Sequence, residues 1–207
     1  MKISPMVIFG GTFDPIHRGH LQIAARVHRD CKLPTITLMP CYQSPLKSYP
    51  QANGSDRLAM IKLAIASRSY LQVDDYELRR HSPSYAIHTL QHFCNIGSYQ
   101  PILLMGMDAL NKFTLWYKWQ EILKIAALIV VNRSGQDPAT QVLKLLKTRK
   151  VKSPNQLEVG AIYVLSMDPI AISSTEIKEL IKTGQNFTSL VPRKVAQYIN
   201  DKRLYMT

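Results

Sequence analysis

Apolar residues along the chain switch between short unbroken runs and spacings of three and four, and that change of period lays out the expected elements. Residues 7–9 form an apolar run that predicts a strand covered on both faces, closed by Gly10-Gly11. From Leu21 the apolar positions fall at Leu21, Ala24, Ala25 and Val27 or His28, so the opening stretch reads as strand, turn, helix. Further strands are predicted at residues 35–39, ended by Pro40, and at 71–73, 102–105, 126–131 and 160–165. Ser55-Asp56 is expected to cap a helix with Leu58, Ile61, Ala64 and Ile65 inward. Pro83-Ser84-Tyr85 introduces another, with Ile87, Leu90, Gln91 and Cys94 inward and Phe93 widening that side. A lysine-bearing helix covers about 137–149, Ser173 or Ser174 caps one that buries Ile177, Leu180 and Ile181, and Val191-Pro192 starts a last one. The alternation fits one α/β domain over residues 1–207 with a mostly parallel sheet, in which about 172–207 form a small C-terminal helical part.

Composition narrows the classes. A chain of 207 residues, 46% hydrophobic and 19% charged, can bury a sizeable core and is not of disordered type. No run approaches the ~18 apolar residues of a membrane span, so none is expected. Met1-Lys2-Ile3-Ser4-Pro5 leads into the first strand without a secretion segment, and the expected location is cytoplasmic. Cys31, Cys41 and Cys94 match neither a disulfide framework nor a zinc knuckle and read as reduced structural residues. The net charge of +12 brings polyanionic partners into consideration. The run Lys144, Lys147, Arg149, Lys150 and Lys152 reads as a solvated face and loop.

The candidate chemistry begins at Gly10-Gly11-Thr12-Phe13-Asp14-Pro15-Ile16-His17-Arg18-Gly19-His20. Free N–H groups of a first helical turn hold anions, and here Thr12, His17 and His20 supplement them. Gly19 between the histidines lets a bulky ligand approach the backbone. The spacing fits neither the dinucleotide fingerprint nor the Walker loop, and a zinc site lacks a third ligand. Lys47, in a proline-punctuated loop over 41–50 beyond a strand end, can reach a phosphate. Asp74-Asp75 reads as loop charge. Asp108, just after Gly106, either meets ribose hydroxyls or caps the next helix. Phe113, Trp116, Tyr117 and Trp119 offer planes for a pyridine ring or base, or core anchors, and Tyr85 is a helix-start aromatic. Arg133 can make a charge-assisted contact to a phosphate or carboxylate. Ser173, Ser174 and Thr175, with Lys178 one turn on, form a second phosphate-holding helix start.

The stretch from Gly10 to His20 resembles the motif that opens the (T/H)xGH nucleotidylyltransferases, with His17 at the variable first position. Ile172-Ser173-Ser174-Thr175-Glu176-Ile177-Lys178 resembles the second motif of their adenylyltransferase branch. With Pro83-Ser84-Tyr85, Thr89-Leu90, Gly106-Met107-Asp108, Trp116, Trp119 and Leu190-Val191-Pro192, nearly the whole chain is similar to the bacterial nicotinate-nucleotide adenylyltransferases. The resemblance implies a Rossmann-like sheet with C-terminal helices, and transfer of an adenylyl group from ATP to nicotinate mononucleotide without a covalent enzyme intermediate. It implies that Gly10, Gly11, Thr12, Phe13, His17, His20, Gly106, Asp108, Ser173, Ser174, Thr175 and Lys178 bind ATP. Gly11, Lys47, Tyr85, Trp116 and Arg133 would face the nicotinate nucleotide. His17, His20, Lys47, Ser174 and Thr175 would act on the transfer itself, with Mg²⁺ held by ATP and water. Lys178 stands where Arg is usual, Tyr117 where His is frequent, Ala86 where Thr is usual, and Ser134 where Pro is frequent. Phosphopantetheine or nicotinamide mononucleotide as acceptor are the competing enzyme readings. A nucleic-acid-binding protein ranks lower because the positive charge is diffuse, and self-association stays open.

Overall fold

The unbroken apolar runs become the strands of one parallel sheet, in the computed structural model that describes residues 4–97, 99–133 and 137–206. In chain order the strands are β1 (Ser4–Gly11), β2 (Ile36–Pro40), β3 (Leu71–Val73), β4 (Tyr99–Gly106), β5 (Ala127–Arg133), β6 (Lys150–Val151) and β7 (Ile162–Met167). Their order across the sheet is β3-β2-β1-β4-β5-β7-β6, every pairing parallel. Parallel strands need crossovers, supplied by α1 (Arg18–Asp30), α2 (Gly54–Ile65), α3 (Tyr76–Arg79), α4 (Ala86–Ile96), α5 (Met107–Leu110), α6 (Trp119–Ile125) and α7 (Thr140–Arg149). The C-terminal helical subdomain follows with α8 (Ser174–Lys182) and α9 (Arg193–Asp201).

Because strand side chains alternate, each strand feeds two cores. Val7 and Phe9 of β1 and Ile129 and Val131 of β5 pack with Leu21 and Ala24 of α1, Met60 and Ile61 of α2, Ile177 of α8 and Val195 of α9. Ile8, Leu103 and Val130 point to the opposite face, against Ile87 and Leu90 of α4, Ile122 of α6 and Val142 of α7. The C-terminal helices therefore share a core with the helices that follow β1 and β2.

Several local expectations shift. The cap of α2 is Asn53, whose side chain accepts the Asp56 N–H at 2.8 Å, and Arg57 takes the inward position expected for Leu58. On α4 the buried positions are Ile87, Thr89, Leu90 and Phe93, while Gln91 is exposed: the helix starts at Ala86, which turns the third-position partner Thr89 inward. Val27, not His28, completes the buried row of α1. The cap of α5 is Gly106, leaving Asp108 within the first turn. The basic run lies on α7, on β6, a two-residue edge strand too short to be read from periodicity, and at Lys152 just beyond it. Lysines at such an edge discourage strand addition. Ser134-Gly135 lie outside the described residues. Among the described residues no helix is long and apolar enough to cross a membrane. The three cysteines are free.

Candidate active site

The chain runs outward from β1 to β3, then returns to lay β4 on the other side of β1, so the strand order reverses between β1 and β4. A crevice beyond the carboxyl ends of strands forms at such a point. Gly10 and Gly11 end β1, Gly106 ends β4, Arg133 ends β5, and Lys47 lies in the loop that follows β2. A Cβ on Gly10 would have nothing within 4 Å, whereas one on Gly11 would stand 3.0 Å from the Phe13 ring. Phe13 adopts a φ of 49° and buries its ring edge-on to Phe9 at 5.7 Å and His20 at 5.0 Å. The loop thus spends a left-handed residue to cover the strand end with an aromatic floor.

His17 is the cap residue of α1, and its backbone N–H donates to Nδ1 of His20 at 3.3 Å. The two rings lie 3.7 Å apart at 30°. Accepting at Nδ1 puts the proton of a neutral His20 on Nε2. Nδ1 of His17 is buried and has no hydrogen-bond partner among the described residues. Burial lowers the His17 pKa to about 4, with the Arg133 charge adding to the effect. Burial also pushes His20 well below its usual range, helped by His17, Lys47 and Arg133. Two uncharged imidazoles beside two cations make a site prepared for anionic charge.

The shift has a measurable consequence. An unfolded histidine titrates near 6.5, so between that value and about 4 the unfolded chain binds more protons than the folded one. Stability therefore falls as pH drops through this window. In urea titrations the stability of wild type minus that of His17→Gln should decline from pH 6.5 toward 4. A difference that grows toward acid contradicts a buried neutral ring.

Gly19 is tightly placed: a Cβ there would stand 2.9 Å from Nδ1 of His17 and 3.0 Å from Ile170. Gly19→Ala should push the His17 ring aside and lower kcat/KM by roughly tenfold or more, since misplacement of ~1 Å costs up to 10²-fold. Unchanged steady-state kinetics in this variant would mean the ring has room to yield.

The second motif sits directly on the first. Ser173 caps α8 by accepting the Glu176 N–H at 3.1 Å, and the Ser174 hydroxyl donates to the carbonyl of Pro15 at 3.0 Å. Nζ of Lys178 lies 3.3 Å from Oδ2 of Asp14, in the middle of the histidine loop. Thr175 is exposed in the first turn of the helix. Ser174 and Lys178 thereby seat the start of α8 on the loop that carries His17 and His20, from a segment more than 150 residues later in the chain.

On the other side, Asp108 is largely exposed and stands 3.8 Å from the Arg133 guanidinium. The loop carrying Lys47 is tied to the start of α4: the Tyr42 N–H donates to Ser84 Oγ at 3.0 Å and the Ser84 N–H to the Gln43 carbonyl at 2.8 Å. Lys47 lies four residues beyond Gln43 in that loop, and Tyr85 follows Ser84 directly. The ring against Tyr85 is Tyr117, at 5.0 Å, while Trp116 packs on Phe113 at 5.5 Å. Asp74 and Asp75 are engaged by Arg79, as loop charges.

Three residues of the site's frame escape a reading of the sequence. Arg57 is 1% exposed and, among the described residues, donates to four carbonyls, those of Thr12 at 2.8 Å, Cys41 at 2.7 Å, Ala52 at 3.2 Å and Tyr42 at 3.4 Å. Its signal was an arginine one turn before Met60 and Ile61 on the inward face. Asp14 and Tyr205 are both 4% exposed and hydrogen-bond each other at 2.8 Å.

Comparison with known proteins gives a consistent picture. Residues 8–180 match the cytidylyltransferase-like family. The chain is 35% identical to the probable nicotinate-nucleotide adenylyltransferase of Marinomonas sp. (strain MWYL1), covering 99% of this chain and 96% of that protein. It is 38% identical to the one of Aeromonas salmonicida (strain A449), covering 99% of both. In fold it is similar to the Plasmodium falciparum nicotinic acid mononucleotide adenylyltransferase complexed with NaAD, at a TM-score of 0.75 and 19% identity over 98% of this chain and 97% of that one.

Proposed function

This chain belongs to the cytidylyltransferase-like family and, within it, to the nicotinate-nucleotide adenylyltransferases, and from that membership we propose that ATP and nicotinate mononucleotide meet in the crevice between β1 and β4. It is a nucleotidyltransferase that moves the adenylyl group of ATP to nicotinate mononucleotide, forming nicotinate adenine dinucleotide and pyrophosphate. The observation that carries the site assignment is the seating of the Ser174 helix start on the histidine loop, through Pro15 and Asp14.

The acceptor already carries its nucleophile, a phosphate oxygen, so the protein needs no activated serine or cysteine. That oxygen forms a bond to the α-phosphorus of ATP while the bond from that phosphorus to the β-phosphate oxygen breaks. Catalysis is then alignment plus stabilisation of charge gathering on the departing pyrophosphate. His17 and His20 donate to the phosphate tail, and a bound polyanion raises their affinity for protons. Lys47 and Arg133 supply fixed positive charge. Ser173, Ser174, Thr175 and the first N–H groups of α8 take the tail from the other side, with Lys178 behind them. Gly10, Gly11, Thr12 and Phe13 shape the floor, Gly106 and Asp108 border the ribose, and Tyr85 and Trp116 flank the pyridine ring.

Mg²⁺ would enter with ATP as part of the substrate, where it would neutralise phosphate charge. Among the described residues no three metal-ligating side chains cluster, and both oxygens of the buried Asp14 already accept hydrogen bonds from protein donors.

The test is a panel of acceptors with ATP and Mg²⁺, read by product mass. Nicotinate mononucleotide should give nicotinate adenine dinucleotide and stoichiometric pyrophosphate. A product from phosphopantetheine and none from nicotinate mononucleotide would overturn the assignment, as would salt-sensitive oligonucleotide binding with no condensation at all.

A further inference from the structure

Asp14 is a buried carboxylate on which three separate parts of the chain converge, bringing four donors. Its Oδ1 accepts the Ala52 N–H at 3.1 Å and the Tyr205 hydroxyl at 2.8 Å. Its Oδ2 accepts the Gln51 N–H at 2.9 Å and the Lys178 ammonium at 3.3 Å. Burying a carboxylate is costly unless its lone pairs are met, and here each oxygen has two donors. Tyr205 lies beyond α9 and follows a backbone that turns through left-handed conformations at Arg203, φ 51°, and Tyr205 itself, φ 66°. Non-glycine residues hold such angles only when the surroundings determine them. Here that turn delivers the phenol beneath the histidine loop. Burial and the adjacent carboxylate hold the Tyr205 hydroxyl in its protonated, donating form.

The residues flanking His17 are held in the same way. The Pro15 carbonyl accepts from Ser174, and the N–H and Nε of Arg18 donate to the carbonyls of Leu190 and Ser189, both at 2.9 Å. Nδ1 of the His17 ring has no hydrogen-bond partner among the described residues, so the ring is placed by its backbone and by packing on the His20 ring at 3.7 Å. His20 is aligned in turn by the His17 N–H. Any slackening at residues 14–18 therefore reaches both imidazoles.

We propose that Tyr205 and Asp14 are positioning residues for adenylyl transfer: the phenol, acting through the carboxylate, fixes the loop that sets the His17 and His20 rings toward the phosphate tail. The proposal rests on the reading that those rings face ATP. It assigns the segment after α9 a part in the chemistry of a site formed at the ends of β1 and β4, in addition to its part in the core.

Tyr205→Phe tests this in the full-length chain, because it removes one oxygen and keeps the buried ring. The variant should remain folded at the assay temperature by circular dichroism, with kcat lowered roughly ten- to hundredfold, the scale of misplaced reacting groups, and KM for nicotinate mononucleotide unchanged. The ring signals of His17 and His20 in ¹H–¹⁵N spectra, assigned with His→Gln variants, should shift relative to wild type. Asp14→Asn should do the same, and the Tyr205→Phe, Asp14→Asn double variant should lose no more kcat than the worse single one, since both act by one route. Wild-type kcat and wild-type ring signals in Tyr205→Phe, with only the melting temperature lowered, would overturn the proposal and leave Tyr205 a packing anchor. Multiplying losses in the double variant would also contradict it. His20→Ala, assayed alongside, reports separately on the phosphate reading: its retained activity would refute that reading, while the ring spectra still decide whether Tyr205 sets the loop.

Discussion

His20→Ala is expected to lower kcat/KM by roughly 10²–10⁴-fold, the range seen when a positioned transition-state contact or proton donor is removed. Three features make this position the most sensitive. The ring is enclosed by Phe13 at 5.0 Å and His17 at 3.7 Å, so its orientation is fixed before any ligand arrives. It is held neutral by burial and by the cations around it, so a phosphate tail brings the negative charge that this environment favours. Its Nδ1 is committed to the His17 N–H, which leaves Nε2 as the donor. The alanine variant should keep the circular dichroism of wild type, because the helix it opens is anchored by Leu21, Ala24 and Val27 in the core. Coupled pyrophosphate release measures the loss, and a kcat/KM near that of wild type would remove His20 from the chemistry.

The largest effect on the fold is expected at Arg57. Arg57→Met keeps an unbranched apolar stem and deletes the guanidinium that serves the carbonyls of Thr12, Cys41, Ala52 and Tyr42. Buried acceptors that lose a charged donor are expensive, and breaking such an arrangement costs about 3–5 kcal/mol. The loss should appear as a lower urea midpoint with an unchanged slope. Activity should fall as well, because the same guanidinium ties the Thr12 loop to the loop that carries Lys47. A change below about 1 kcal/mol would mean that water replaces the guanidinium at all four carbonyls.

The contrast between His20 and Arg57 shows what the sequence carries openly. The strands β1, β2, β4 and β5 are legible because residues buried on both faces leave apolar runs, and the histidine loop is legible because its residues are contiguous. The pairing of Gly10–His20 with Ser173–Lys178 came through family likeness; the contacts of Ser174 with Pro15 and of Lys178 with Asp14 give it a physical form. Asp14, Arg57 and Tyr205 were hidden for a different reason. Each is a polar residue made structural by partners distant in sequence, in the extreme case 191 residues away, and no local period marks such a partner. The inward position on α2 has the same origin: hydrophobicity alone ranks Leu58 above Arg57, although a buried arginine with four acceptors fits the helix face better.

Adenylyl transfer at this site needs two remote stretches to enclose one polyanion, and a structure of the enzyme with Mg²⁺ and a non-hydrolysable ATP analogue measures that most directly. The triphosphate should lie between the loop from Gly10 to His20 and the first turn of α8, with Nε2 of His20 within hydrogen-bond distance of a phosphate oxygen. A nucleotide bound with its phosphates in contact with neither stretch would contradict it.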